Sequence, residues 1–367
     1  MDRRRFLAAA AALHAVPAWA ASELPPPITL GAAWRGAAVN SPQRVGALRL
    51  DGAAVTVRVA WSVELPSRAH GLLPEAGGGL LVVATRPGRW LLRLDGDGRV
   101  MRRLSIDDEP GARRFDGHAL RSADGRWLYT PETAPDGQGW LSVRDADTLR
   151  QEAAWPTGGV DPHHLLLDAQ GHVMLAHGGI LRTPEGHKRD LDRMASSLVR
   201  IDGRNGRRLG EWRLDDPRLS LRHLAWSTDA DGAPLLGVAL QSEHHDRGQR
   251  TGAPVLAVWD GAQLRIPSRA ADGEGYAGDI ASAARGGFAL SGQKAGRALL
   301  WLPGRDADLH TIARLTGPCA LAPADAAGGV LVAGARGAGR WHPVDAPRML
   351  AWPEPMALDN HWVVLRA

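Results

Sequence analysis

One pattern recurs along the chain and constrains its fold more than any other feature. A polar residue opens two or three apolar ones, then come a turn with Asp or Gly, an apolar strand and two further strands. His70, His118, His164, His223, Asp279, Cys319 and His361 open successive copies, at intervals of 48, 46, 59, 56, 40 and 42 residues. A four-stranded propeller blade needs about 40–50 residues. The two long intervals hold insertions, at residues 183–196 (TPEGHKRDLDRMAS) and 242–254 (SEHHDRGQRTGAP). The seventh copy has only its first strand, HWVVLRA, before the sequence stops. Three N-terminal strands (ITLGAAW, RVGALRL, TVRVAWSVEL) can complete it. The expectation is an all-β, seven-bladed β-propeller of the YVTN/quinoprotein-dehydrogenase-like kind. Pairing of the N- and C-terminal strands would close the ring and remove exposed sheet edges.

Residues 1–20 read differently from the rest. Arg3, Arg4, Arg5, Phe6 and Leu7 fit a twin-arginine pattern, an Ala-rich apolar run follows, and Ala18-Trp19-Ala20 forms a cleavage site. This order predicts a Tat signal peptide, too short in its apolar run to span a bilayer. The expected mature protein is a single propeller domain over residues 21–367, soluble in a bacterial periplasm and monomeric. Its charge, near +2 without the signal, comes from Arg scattered singly, with only Lys188 and Lys294 as lysines. That argues against a nucleic-acid groove. Cys319 is the only cysteine, which excludes an internal disulfide. The 44 Gly and 25 Pro suit turns between many short strands.

In a propeller the first strand of each blade lines the channel, and its opening residue lies at one mouth. Aligned this way, His70, His118, His164, His223 and His361 form a ring with Asp279 and Cys319. The second strands return antiparallel to the same mouth, bringing Arg86, Glu132, His177, Gln241, Gln293 and Arg336. His163 faces either this mouth or the neighbouring blade, and His172 belongs to a solvated turn at the far end. Neutral imidazole is the commonest ligand for transition metals, so the five histidines are candidate ligands for iron or copper. The alternative is structural histidines inherited from one ancestral blade, each hydrogen-bonded to backbone.

Other motifs carry less. Glu243–Asp246 (EHHD) lies in a polar loop, and Asp95–Arg99 (DGDGR) reads as a hairpin turn without a full calcium ligand set. Cys319 suits a thiolate beside histidine or a small buried residue equally well. Most of the fourteen Trp fall in strands and suit core packing. No GxSxG, HExxH or phosphate-binding glycine loop is present.

The stretches RRFDGHALRSADGRWLYT, DPHHLLLDAQGHVMLAHGGI, KRDLDRMASSLVRID and LSLRHLAW resemble a family of Tat-exported bacterial proteins of unknown function. The likeness covers nearly the whole mature chain. The family's GPHE stands here as Asp161-Pro162-His163-His164, and its ANGGI as Ala176-His177-Gly178-Gly179-Ile180. The resemblance implies a propeller. It also implies genomic company with imelysin-type and di-haem peroxidase-like proteins in iron-uptake loci, which would be its partners. Three functions follow as expectations: a metal-handling protein, a metal-free scaffold for a protein partner, and an oxidoreductase or hydrolase.

Overall fold

A computed structural model describes residues 27–365, apart from 39, 52–55, 230, 269–271, 305–307 and 326–327. The expected signal peptide lies outside the described residues. The fold is all-β and propeller-like, with one short α-helix among the described residues, at Arg247–Thr251. Among the described residues no helix is long and apolar enough to cross a membrane.

The strands follow one another in antiparallel groups. Ala69–Pro74, Leu80–Ala84, Trp90–Leu94 and Val100–Ser105 form one sheet. The next contains Arg114–Phe115 and Leu120–Arg121, two pieces of one interrupted inner strand, then Trp127–Thr133, Gln138–Asp145 and Gln151–Val160. Three more four-stranded sheets start at Pro162–Leu167, Leu219–Thr228 and Ile280–Ser282. The strands from Leu321–Pro323 to Arg348–Ala351 make another group. A single parallel bridge, Thr56 to Ala351, joins it to the strands Ile28–Gly36, Gln43–Asp51 and Thr56–Glu64. The last strand, Met356–Leu365, pairs antiparallel with Ile28–Gly36, from Thr29–Leu365 to Gly36–Met356.

Second strands such as Leu80–Ala84 and Val330–Gly334 are buried along their whole length. Both faces meet a neighbouring sheet, which explains their unbroken apolar runs (LLVVA, VLVAG) in place of period-two alternation. An outer strand such as Val100–Ser105 is mostly exposed. The core is therefore divided into clusters between consecutive sheets. Leu81, Val83 and Leu91 meet Phe115 and Leu128; Tyr129 and Leu141 meet Leu165 and Leu175. Leu331 and Ala333 meet Leu30 and Leu48 of the N-terminal strands, whose Val45 and Ala47 meet Leu80 and Val82.

A small hairpin, Leu181–Arg182 against Lys188–Arg189, leads into the insertion at 183–196 and holds its first part. The second insertion contains the short helix. Lys188 Nζ reaches Glu243 Oε1 at 2.5 Å and ties the two together.

Candidate functional site

Each inner strand loses its regular ladder where its histidine sits. The register slips between Ala69 and Leu72, around His70, between Pro162 and Leu165, around His163 and His164, and between Leu221 and Leu224, around His223. The last strand slips between Leu358 and Trp362, around His361. In the second sheet the inner strand is broken between Phe115 and Leu120, and His118 lies in the break. Such irregularities re-aim side chains out of the pleat. The histidines therefore do not simply open their strands; they lie within them, at bends that turn the rings inward. Close backbone approach lets them meet: a Cβ on Gly71 would lie 2.2 Å from Gly117 O, and Gly117 has φ of +101°. Both positions require glycine.

Four rings converge. The coordinating nitrogens of His70, His118, His223 and His361 lie within 4.8 Å of one another, and all four residues are buried. His163 joins them: its Nε2 is 2.9 Å from His223 Nε2, which is itself 3.0 Å from His361 Nε2. His164 stands at the edge, its ring 4.6 Å from that of His118. Its Nδ1 accepts the Leu224 N–H at 3.1 Å, a structural role. In the third repeat it is thus His163 that reaches the nitrogens of the cluster.

Two of the rings are backed by carboxylates. His361 Nδ1 lies 3.2 Å from Asp279 Oδ1, and His70 Nδ1 lies 3.7 Å from Asp359 Oδ1. Asp279 also accepts the Ile280 and Leu321 backbone N–H groups, and Asp359 takes a double contact from Arg68. A proton on Nδ1 facing a carboxylate leaves the Nε2 lone pair pointing into the cluster. Among protein groups, His70 Nε2, His118 Nε2, His163 Nδ1 and His223 Nδ1 have no hydrogen-bond partner.

Burial favours the neutral form of His70, His118, His163, His164 and His223. It lowers His70 to about 4, against the pull of Asp359, and His164 to about 3, with His361 and His70 adding to the effect. It also holds His118 and His223 well below the usual range, together with the neighbouring imidazoles. His163 is lowered by burial and then by Arg86. At neutral pH these are lone-pair donors. For Asp359, burial works upward, but His70 and Arg68 hold it well below the usual carboxylate range.

The expected channel-mouth residues divide into separate places. Asp279 belongs to the cluster through His361. Arg86 bonds Asp161 Oδ1 at 2.6 Å and lines an adjacent cavity. Glu132 is fully buried in a network of its own, accepting from Arg113, Arg144, Thr130 and Ser142. The second strand turns its side chain toward the third strand's Ser142 and Arg144 instead of toward the imidazoles. His177 is buried between Thr157 Oγ1 (2.8 Å) and Ser197 Oγ (3.0 Å), and burial lowers it to about 3. Gln241 donates to Ala277 O, Gln293 N to Ser291 O, and Arg336 is exposed. Cys319 is buried and its thiol is pushed up to about 12, which excludes a resting thiolate. His172 stays in its turn, beside Asp168.

Sequence reasoning missed Asp359, Asp116 and Asp161. A signal was present: Asp116-Gly117-His118, Asp161-Pro162-His163 and Asp359-Asn360-His361 share one D-x-H spacing. In the third repeat this spacing selects His163 over His164.

No curated protein matches the chain. Among solved structures it is similar in fold to a protein from Lactobacillus plantarum, at 13% identity and TM-score 0.58 over 93% of this chain and 100% of that one. It is also similar to hydrazine synthase of Kuenenia stuttgartiensis, at 13% identity and TM-score 0.54 over 85% and 92%. A third likeness is to virginiamycin B lyase of Staphylococcus aureus, at 10% identity and TM-score 0.51 over 78% and 85%. At such identities the likeness is one of fold. The chain belongs to the family described as protein of unknown function (DUF1513), whose model matches residues 63–365.

Proposed function

We propose that this DUF1513 member is a periplasmic, seven-bladed, closed propeller that binds a transition metal, iron or copper, on the imidazoles lining its channel. The observation that carries the metal reading is the convergence of four buried imidazoles, two of them backed by carboxylates. Ligating histidines commonly donate their other N–H to a carboxylate, which fixes the tautomer and strengthens the donor. With metal–nitrogen bonds of about 2.0–2.1 Å, tetrahedral ligand atoms stand roughly 3.3 Å apart. The 3.0 Å from His223 to His361 and the 4.8 Å upper limit bracket that value. Bound metal would also satisfy the partnerless Nε2 atoms of His70 and His118, whose burial otherwise costs stability. All-nitrogen ligands suit copper and iron, with copper held more tightly. Partners of the imelysin and di-haem peroxidase kinds, and a role in metal uptake, belong to the same reading.

Seven blades and closure are supported by the core. Seven clusters each link one sheet to the next, and the last links the Leu321–Ala351 strands back to the N-terminal ones. Deleting residues 361–367 removes the pairs from Thr29–Leu365 to Ala32–Trp362 and bares an edge. Aggregation on size-exclusion chromatography is expected. A truncated monomer with an unchanged melt would overturn closure.

The metal reading is tested on the protein purified from periplasm without an affinity tag. Elemental analysis is expected to find about one equivalent of iron or copper. Titration of Fe(II), Cu(II) and Zn(II) should then show tight binding that His223→Ala and His361→Ala each weaken, while thermal melts show the variants folded. Wild-type protein that binds none of these metals at submicromolar concentration ends the metal reading and leaves a partner-binding scaffold.

A further inference from the structure

Beside the imidazoles lies a second constellation, built around Asp161. This carboxylate is fully buried, and its backbone has φ of +55°. Three guanidiniums converge on it. Arg86 Nη1 and Arg182 Nε reach Oδ1 at 2.6 and 3.1 Å, and Arg222 Nη1 reaches Oδ2 at 2.9 Å. Burying three cations on one anion is costly. Arg222, 1% exposed, has an Nε with no partner. Burial, opposed by Asp161, lowers Arg86 to about 10. Of the other carboxylates at the cavity, Glu185 is exposed to solvent, and the buried Asp116 takes a hydrogen bond from Thr133 Oγ1 at 2.6 Å. Even with Asp116 ionised, the floor holds three guanidiniums against two carboxylates.

This floor opens into a cavity of about 570 Å³. Arg86, Arg182, Asp116 and Asp161 line its polar side, and Pro87, Ala134 and Ile180 are among its apolar walls. The hairpin inserted in the third repeat supplies Arg182 together with Thr183, Pro184 and Gly186 of the rim. A Cβ on Gly186 would lie 3.0 Å from Pro87 Cδ, so the hairpin tip sits directly against the opposite wall. An insertion that adds a cation and a rim to one cavity is what a ligand pocket needs. Apolar walls with a few convergent polar groups are the usual composition of small-molecule sites.

We propose that this cavity binds a small organic carboxylate, its carboxyl group on Arg86 and Arg182 and its carbon skeleton against Pro87, Ala134 and Ile180. Two guanidiniums on one wall suit a planar carboxylate, which they can hold by paired charge-assisted hydrogen bonds. The missing negative charge of the floor is then supplied by the ligand. The apolar wall separates this class from inorganic phosphate or sulfate, which would gain nothing from it. The proposal does not rest on the metal reading, because none of the groups that hold the carboxylate is an imidazole.

The test is calorimetric titration of the full chain with succinate, citrate, benzoate, inorganic phosphate and sulfate. At least one of the three carboxylates is expected to bind, and more tightly than either inorganic anion. Arg182→Gln should weaken it about tenfold or more, the usual loss for one charge-assisted hydrogen bond. Arg182 is the variant of choice because Asp161 keeps two other guanidiniums. Ala134→Trp fills the cavity without touching a charge and should abolish binding, which separates loss of the pocket from loss of the floor. Arg204→Gln, at an exposed guanidinium paired with Asp202, should leave carboxylate binding unchanged. Binding that survives both Arg182→Gln and Ala134→Trp overturns the site. Phosphate or sulfate binding as tight as the best carboxylate overturns the organic class. Failure of all three carboxylates to bind overturns the proposal entirely, whatever the metal titrations give.

Discussion

The buried polar clusters around Glu132 and around His223 are completed differently. Around Glu132, both carboxylate oxygens are used twice: Oε2 by Arg113 (2.8 Å) and Ser142 (2.7 Å), Oε1 by Thr130 (2.8 Å) and Arg144 (2.7 Å). Arg144, 0% exposed, spends its remaining donors on Glu109, Thr130 and Leu149 O. Around His223 the rings are packed as tightly, yet four ring nitrogens have no protein partner and three Nε2 atoms crowd together. A finished network specifies and rigidifies a core; one left unfinished costs stability unless something else completes it. The difference teaches which cluster is architecture and which is a site. Composition alone points the wrong way, because the ion-pairing residue types, Glu132 and Arg144, belong to the finished network.

The broadest way to break that comparison is acid. A buried histidine with a lowered pKa stabilises the fold above the unfolded value and loses that contribution as pH falls through the folded one. Between about 6.5 and 4 the unfolded chain takes up protons that the folded His70 (about 4), His164 (about 3) and His177 (about 3) refuse. Each therefore withdraws about 1.4 kcal/mol per pH unit across that window. Chemical denaturation at pH 7, 6, 5 and 4 should show a steep, monotonic loss amounting to several kcal/mol. A flat profile would mean that the rings are not buried as neutral species. Bound metal should steepen the profile, because protons compete for the same lone pairs.

The next largest effect falls on the finished network. Glu132→Ala leaves Arg113 and Arg144 without their shared carboxylate, Arg144 in full burial. Breaking a buried pair on one side costs about 3–5 kcal/mol. The denaturant midpoint should drop sharply, while metal affinity measured on the folded fraction stays as in wild type. A change in metal affinity would place Glu132 in the site after all.

Asp279→Asn sharpens the comparison from the other side. Asparagine keeps the size and, with one acceptor oxygen, can keep one of the two bonds from the Ile280 and Leu321 N–H groups, which go to Oδ1 and Oδ2. It removes the charge that orients His361. Changing such a supporting partner typically costs 10–100-fold in metal affinity, so a drop of about 10–100-fold is expected, with a small change in melting temperature. Restoration by Asp279→Glu, even in part, would separate a positioning role from a purely structural one.

Much of this was readable from residues alone, and the reason is periodicity. A repeat near 45 residues leaves few architectures, and strands buried on both faces announce themselves as LLVVA or VLVAG. The histidines at 70, 118, 223 and 361 were legible because four repeats place the same residue type at the same point. The choice between His163 and His164 was harder, because a bulge between Pro162 and Leu165 decides which ring faces inward, and only the D-x-H spacing shared by Asp116–His118, Asp161–His163 and Asp359–His361 marks it. Glu132 was misassigned for a related reason. The end of a second strand was expected to face the mouth, but the side chain turns sideways along its sheet to Arg113 and Arg144. The cavity at Asp161 was hidden because the three arginines around that carboxylate come from the loop after the second strand of one sheet, a small hairpin in the third repeat, and the first strand of another sheet. Only the fold brings residues 86, 182 and 222 to one carboxylate.

The smallest expected effect tests whether position or residue type makes the site. Within Asp161–Ile180 four histidines meet four fates: His163 in the cluster, His164 on the Leu224 N–H, His177 between two hydroxyls, and His172 in the Asp168–Gly171 turn. His172 Nδ1 lies 3.3 Å from Asp168 Oδ2, and its side chain is 22% exposed. Asp168 does not depend on that ring. Arg200 reaches the same oxygen at 2.5 Å, and the Gln170 and His172 backbone N–H groups bond Oδ1. His172→Ala therefore removes the contacts to Asp168 Oδ2 and to Arg200 Nη2 (3.1 Å), and both of those atoms keep other partners. Its cost should stay within about 0.5 kcal/mol, the usual range for a partly exposed position away from special features. Metal binding, carboxylate binding and the pH profile should all match wild type. If His172→Ala weakened the metal as His223→Ala does, binding would belong to scattered surface imidazoles, and the unfinished cluster would lose its claim to be a site.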